Sequence, residues 1–398
     1  MSKVKLGDVA DVYVSGVDKK TILDEQPVRL CNYTDVYYNW TIRKEMSEGF
    51  MSASARPNEI ARFRLRAGQV VMTKDSETRS DIGHSAFVAD DFEDVILGYH
   101  CALISPHEGK LSGQYLNGLL RTRHISDYLS RNAGGSGQRF YLSDSTIKAM
   151  PISLPPYDAQ LRIAGVLGSI DEKIELNRRK IAELEALAKT IYDYWFVQFD
   201  FPDATGRPYK SSGGKMVWNG QLKREVPEGW EVAMLESIFT VCSGKDHKHL
   251  PDGKFPILGS GGIMRYGSEY LYDGESVLIP RKGTLNNVMF MQTPFWTVDT
   301  MFFTRAKRPH LMKYVYMTIR DFDFARLNTG TGVPSMTSSI INRIAITVPP
   351  KDLAERLDIL LGDCFSRIEL IKSEIEVLRT ERNTLLPLLM NGQVKVAG

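Results

Sequence analysis

Between residues 155 and 196 the apolar positions recur at alternating steps of four and three: Ile163, Leu167, Ile170, Ile174, Asn177, Ile181, Leu184, Ala188, Ile191 and Trp195. That is the a/d seam of a heptad repeat, and Asn177 is its one polar member. Pro155-Pro156 ends whatever precedes, Asp158 is placed to cap the first turn, and no Pro or Gly interrupts residues 169–199. At about 1.5 Å of rise per residue the predicted helix is roughly 60 Å long, and alone it would leave its seam in water. It requires a partner.

A matching pattern lies in the same chain. Shifted by 194 residues, Pro155-Pro156 falls on Pro349-Pro350, Asp158 on Asp352, Arg162 on Arg356, Ile174 on Ile368, Ile181 on Ile375 and Leu184 on Leu378. The second seam runs Leu357, Leu361, Cys364, Ile368, Ile371, Ile375, Leu378, Arg382, Leu385 and Leu389, polar only at Arg382. Two copies of one long helix therefore stand about half a chain apart. Two unrelated surface helices would not also align their flanking prolines and aspartates.

Before each helix the period changes to two. Residues 9–14, 28–30, 70–73, 86–88 and 101–105 read as short strands, followed by a helix over 112–131, a Gly-rich loop and a short helix near 144–149. The layout recurs over 231–350. Residues 274–281 (GESVLIPR) match 68–74 (GQVVMTK), and 328–350 mirror 132–156 with two residues fewer. The pattern predicts an α+β chain: a first globule over 1–154, a long helix over 155–198, a linker or arm over 199–230, a second globule over 231–348, a second long helix over 349–391 and a tail over 392–398. An antiparallel coiled coil with an internal pseudo-two-fold is the expected arrangement. A parallel pair would make the linker travel back some 60 Å, which about thirty extended residues can just span.

Composition narrows the class. With 398 residues, 43% apolar and 25% charged, the chain reads as an ordinary globular protein of two or three domains. Cys31, Cys101, Cys242 and Cys364 are scattered without a C-x-x-C, so reduced thiols, no metal site and a cytoplasmic location are expected. No membrane segment or signal peptide is expected. The net charge of +2 neither requires nor excludes nucleic acid.

The order of parts, together with three short runs, resembles a known family. The runs are Leu154-Pro155-Pro156 leading to Gln160 and Ile163, YWFVQFDFP at 194–202 and VPEGWE at 226–231. The chain resembles, over essentially its whole length, the DNA specificity subunit of type I restriction-modification enzymes. The resemblance implies a non-catalytic subunit for phage defence. Two target recognition domains would each read one half of a split, asymmetric duplex target. The coiled coil would set the gap, roughly 5–8 unread base pairs, and a heptad added to the helices would lengthen it. The implied partners are duplex DNA, two modification (methyltransferase) subunits and restriction (translocase/nuclease) subunits. S-adenosylmethionine, ATP and Mg would belong to those partners, with no cofactor on this chain. The second copy departs from the pattern: Ala354 stands where the first has Gln160, and YWF is missing from its helix end. Two other readings share the pattern: the specificity subunit of a two-subunit, type IIB-like enzyme, and a coiled-coil scaffold whose heads bind proteins. Neither N-P-P-[FYW] nor G-x-x-x-x-G-K-[ST] occurs, so amino-methylation and ATP-driven translocation are expected elsewhere.

The candidate DNA contacts follow from chemistry. The paired Gly-rich loops, 134–141 and 329–335, combine backbone amides that can approach phosphate with the hydroxyls of Ser136, Tyr141, Thr331 and Ser335. Gln138 and Arg139 have the donor geometry for adenine, and for guanine or phosphate. Basic loops add Lys74 and Arg79 in the first head, and Lys245, His247, Lys248, Arg281 and Lys282 in the second, with Asn286 and Asn287 as polar readers. The first head (1–150) carries 19 Lys+Arg against 19 Asp+Glu, and the second (231–350) 13 against 10, or +3. Neither is strongly basic, so modification subunits are expected to share the grip on phosphate. Asn177 is read as a register-setting polar residue.

Overall fold

The computed structural model describes residues 2–18, 20–330 and 332–396. The chain divides into two compact units, Met1–Arg178 with Lys372–Gly398, and Arg179–Ile371. Both division points fall inside the long helices, Tyr157–Tyr192 and Lys351–Met390, so each unit holds a head and a segment of each helix.

In unit 1 the strand Ala10–Val14 pairs with Cys101–Pro106, which pairs with Val70–Thr73, all antiparallel; Ser85–Val88 and Thr41–Ile42 extend the sheet to five strands. A second sheet contains Met51–Ala55, Gln26–Cys31 and Val95–Leu97. Of these, Val70–Thr73 and Val95–Leu97 are buried on both faces, with Val70, Val71 and Met72 fully enclosed. The first strand, Ser2–Lys5, pairs with Pro151–Leu154, which leads through the two prolines into the long helix. Among the described residues, no helix is long and apolar enough to cross a membrane.

Unit 2 repeats the scheme. Phe239–Ser243, Met301–Ala306 and Ser276–Pro280 form the same antiparallel trio, and Glu231–Met234 pairs with Ala345–Val348 before the second helix. Side chains repeat too. Buried Tyr115 donates its phenol hydrogen to Ser153 O (3.2 Å), and buried Tyr314 does the same to Thr347 O (2.7 Å), 194 residues on from Ser153. Gly168 of the first helix faces Gln114, and Gly362 of the second faces Lys313, each within van der Waals reach of the head.

Within unit 1 the helix segments run antiparallel. Leu167 lies with Leu386 and Met390 around Gly118, Asp171 meets Arg382, and Asn177 donates to Glu374 at 2.9 Å. As one index rises the other falls. Of the seam positions, Ile163, Leu167, Ile174, Asn177, Leu357, Leu361, Ile368 and Ile375 are buried, while Ile170, Ile181, Leu184, Ile191, Ile371, Leu378 and Leu385 are partly covered. In unit 2, Ile181, Leu184 and Ile191 pack on the core that contains Leu357, Leu361 and Ile368. Each buried aliphatic side chain contributes about 1.5–3 kcal/mol, which makes the seam the main source of helix stability.

Several expectations are corrected. The helix read over 112–131 is two, Gly113–Leu120 and Arg123–Asn132, because Thr122 turns its hydroxyl back to Leu119 O (2.7 Å) in extended backbone. Asp158 sits inside the first turn, where it complements the helix dipole, and is not the cap itself. The first long helix stops at Tyr192 and ends in a π turn, Asp193–Val197. The stretch read as a linker or arm over 199–230 is folded. Phe199 and Phe201 are buried against Trp230, and Met216–Asn219 pairs with Arg224–Pro227 as a hairpin. Its turn residues mislead because the apolar ones among them find an aromatic core.

Candidate nucleic-acid interface

In the first head the Gly-rich segment is a hairpin. Gly134–Ser136 pairs with Arg139–Tyr141, which adds to the edge Asp75–Ser76. Gly135 has φ +95, and a Cβ there would lie 2.1 Å from Arg139 O; only glycine fits. Gly137 makes the turn at φ +70. Ser136, Gln138, Arg139 and Tyr141 are all exposed, and Arg79 lies 4.9 Å over the Phe140 ring. Lys74 is different: its ammonium is spent on Asp75 at 2.8 Å and only 16% of its side chain is exposed.

The hairpin forms one wall of a cleft of about 860 Å³. The facing wall was not legible beforehand. It comes from the helix Tyr33–Tyr38, with Asp81 and His100. Asp81 accepts from the Tyr37 phenol (3.1 Å) and bonds His84 Nε2 (2.7 Å), while Asp75 bonds His100 Nδ1 (2.5 Å). Burial, and secondarily the charge of Asp81, pushes the Tyr33 phenol up to about 12. Burial, and then its bond to Asp81, also raises Tyr37. The only sequence signal was the aromatic density of YTDVYYNW (33–40).

In the second head the loops converge on residues 297–300. Lys245 N donates to Thr297 O (2.9 Å), and Arg281 N and Lys282 N donate to Thr300 O (2.8 and 3.2 Å). The Gly-rich loop joins them: Lys282 bridges to Ser335, and Gly283 N donates to Pro334 O (2.9 Å). Asn328 Oδ1 holds that loop closed by accepting from Gly330 N and Ser335 N, both at 2.8 Å. Thr331 lies outside the described residues. Lys245, Lys248 and Lys282 are exposed, whereas His247 is half-buried and held by Arg265 at 3.2 Å. Arg281 is half-buried above Phe302. The two asparagines brace the loops: Asn286 bonds Asp323 (3.1 Å) and Asn287 bonds Ser260 O (2.8 Å). Arg265 escaped notice because its role depends on a neighbour 18 positions away.

Comparison with known proteins bears on the family and the fold. The family model described as type I restriction modification DNA specificity domain matches residues 1–186 and 227–378. The chain is 27% identical over 319 residues to the type I restriction enzyme MjaIX specificity subunit of Methanocaldococcus jannaschii, covering 74% of this chain and 71% of that protein. It is 23% identical over 366 residues to the putative MjaX specificity subunit of the same organism, covering 86% and 82%. The crystal structure of a type I restriction-modification S subunit from M. genitalium superposes with a TM-score of 0.55 at 16% identity, over 98% of this chain and 95% of that one. With two matched segments that span most of its length and a repeated head-and-helix fold, the chain belongs to the type I restriction-modification DNA specificity family.

Proposed function

We propose that this chain selects the DNA target of a type I restriction-modification enzyme, each head reading one part of a bipartite, asymmetric sequence. The observation that carries the reading is the repeat itself: one scaffold, built twice, presents two chemically different sets of loops. The first head offers Gln138 and Arg139 at a hairpin tip beside a tyrosine-lined cleft; the second offers Lys245, Lys248 and Lys282 around a hydroxyl-bearing loop. Unlike heads on like scaffolds suit unlike half-sites, whereas a homodimer would read a palindrome. Catalysis lies in partner subunits.

Mapping methylated positions in DNA modified by the assembled enzyme tests this. A single split, asymmetric motif is expected. Gln138→Ala with Arg139→Ala should relax one half of it and leave the other intact, each lost base contact costing about 1–3 kcal/mol of discrimination. Relaxation of both halves, or of neither, would refute the assignment of the hairpin.

Docking of modification subunits is proposed on the outer faces of the long helices. Leu176 and Leu370, 194 residues apart, are exposed by 48% and 72%. Such leucines in equivalent positions of two copies suit two like partners. Leu176→Asp and Leu370→Asp should each weaken assembly by about 1–3 kcal/mol without lowering the melting temperature, as read by sedimentation and calorimetry.

A further inference from the structure

Where the first helix passes the head in unit 1, five arginines line a pocket of about 370 Å³: Arg43 and Arg121 from the head, and Arg178, Arg379 and Arg382 from the helices. The lining carboxylates are Asp171 and Glu175, a formal excess of three positive charges. Glu376, paired with Arg379 at 2.7 Å from outside the lining, reduces it to two.

The deeper arginines share one counter-charge. Asp171 accepts from Arg43 at 3.2 Å and from Arg382 at 3.5 Å, and all three side chains are mostly covered. Arg121 donates to the carbonyls of Ser85 and Asn39, while Asp171 acts on it only through space. Arg121 and Arg382 both lie on the Trp40 ring, at 4.7 and 4.1 Å. Burial, and then the charge of Arg382, lowers Arg121 to about 10. Arg382 Nε is buried without a hydrogen-bond partner among the described residues. Desolvated guanidiniums in excess of their carboxylates are costly unless an anion completes the set.

Tyr37 and Tyr38 line both this pocket and the 860 Å³ cleft, so the two are neighbours. We propose that the arginine pocket holds a phosphate of the duplex backbone, making the helices of unit 1 part of the DNA grip as well as the support of the head. Guanidinium forks match phosphate oxygens, and such a contact fixes position without reading sequence. The inference rests on the DNA-specificity reading above. It also explains how a head with no net positive charge can hold a polyanion.

The test uses the assembled specificity and modification subunits with cognate and non-cognate duplexes, titrated across salt concentration. Arg178→Gln with Arg379→Gln changes the two half-exposed members and spares the buried ones. Affinity at about 0.1 M salt should fall roughly 10- to 100-fold for both duplexes, and the salt slope should shrink by about one, as for the loss of one phosphate contact. Arg178→Lys with Arg379→Lys, which keeps the charge, should restore the slope and serves if the glutamine variant folds poorly. Unchanged affinity and slope, with sequence-dependent binding by the unaltered complex, would overturn the pocket assignment and leave the specificity reading standing. Inorganic phosphate is the second probe: if it raises the melting temperature only when the arginines are present, yet duplex affinity is the same in the variants, the site takes a free anion and the DNA assignment fails. Absence of sequence-dependent binding by the unaltered complex would remove the specificity reading itself, and the pocket's assignment with it.

Discussion

Replacing Lys313 with alanine is expected to destabilise unit 2 by about 3–5 kcal/mol. Lys313 stands on the apolar helix Met312–Ile319 and is 4% exposed. Its ammonium donates to Glu275, beside the strand Ser276–Pro280, and to Asp358 on the second long helix at 2.9 Å. It thus ties head to helix inside the unit. Truncation would leave two partly covered carboxylates facing each other with no cation between them. The melting transition should drop by about 10 °C. Adding Glu275→Gln and Asp358→Asn to the variant should recover part of the loss, because the uncompensated charge leaves with them. A loss below about 1 kcal/mol for Lys313→Ala would show that water, and not the ion pair, satisfies these groups. In the first copy the equivalent neighbour of the helix glycine is Gln114, so no such sensitivity is expected there.

Asp171→Ala should have a comparable effect on unit 1, again about 3–5 kcal/mol. Thr41 Oγ1 donates to this carboxylate at 2.7 Å, beside the two arginines, so one deletion strips an acceptor from three donors. Arg382 would then sit against Trp40 and close to Arg121 with no carboxylate opposite. Glu172→Ala, one residue along on the exposed side, should change stability by less than about 0.5 kcal/mol. Calorimetry of the two variants checks both numbers. Similar melting temperatures for the two would mean that the arginines find their counter-charge elsewhere. If the pocket holds phosphate as proposed, added duplex should recover some of the stability lost in Asp171→Ala, since the anion takes over part of the carboxylate's charge.

The site was half legible. Glycine spacing located the hairpin that carries Gln138 and Arg139, because a tight turn leaves a local compositional mark. The wall at 33–38 left only a local density of aromatics, and the His100–Asp75 pair left no mark, since segments distant in sequence bring the two together. Asn177 illustrates both sides. Its heptad position marked it as a polar member of the seam, and it is fully buried, but its bond to Glu374 joins residues 197 positions apart. Lys74 and the two asparagines looked like free contacts; the structure engages each of them with the protein itself.

By itself the sequence determined the duplication, the two long helices and the division into heads, because heptad and two-residue periods and a 194-residue offset are properties of local order that survive without a fold. Tertiary structure alone decided that residues 199–230 pack rather than hang free, that five arginines gather around Asp171, and that a cleft stands beside the hairpin. Those outcomes depend on which buried surfaces meet and on where charge must be neutralised. No spacing along a chain encodes them.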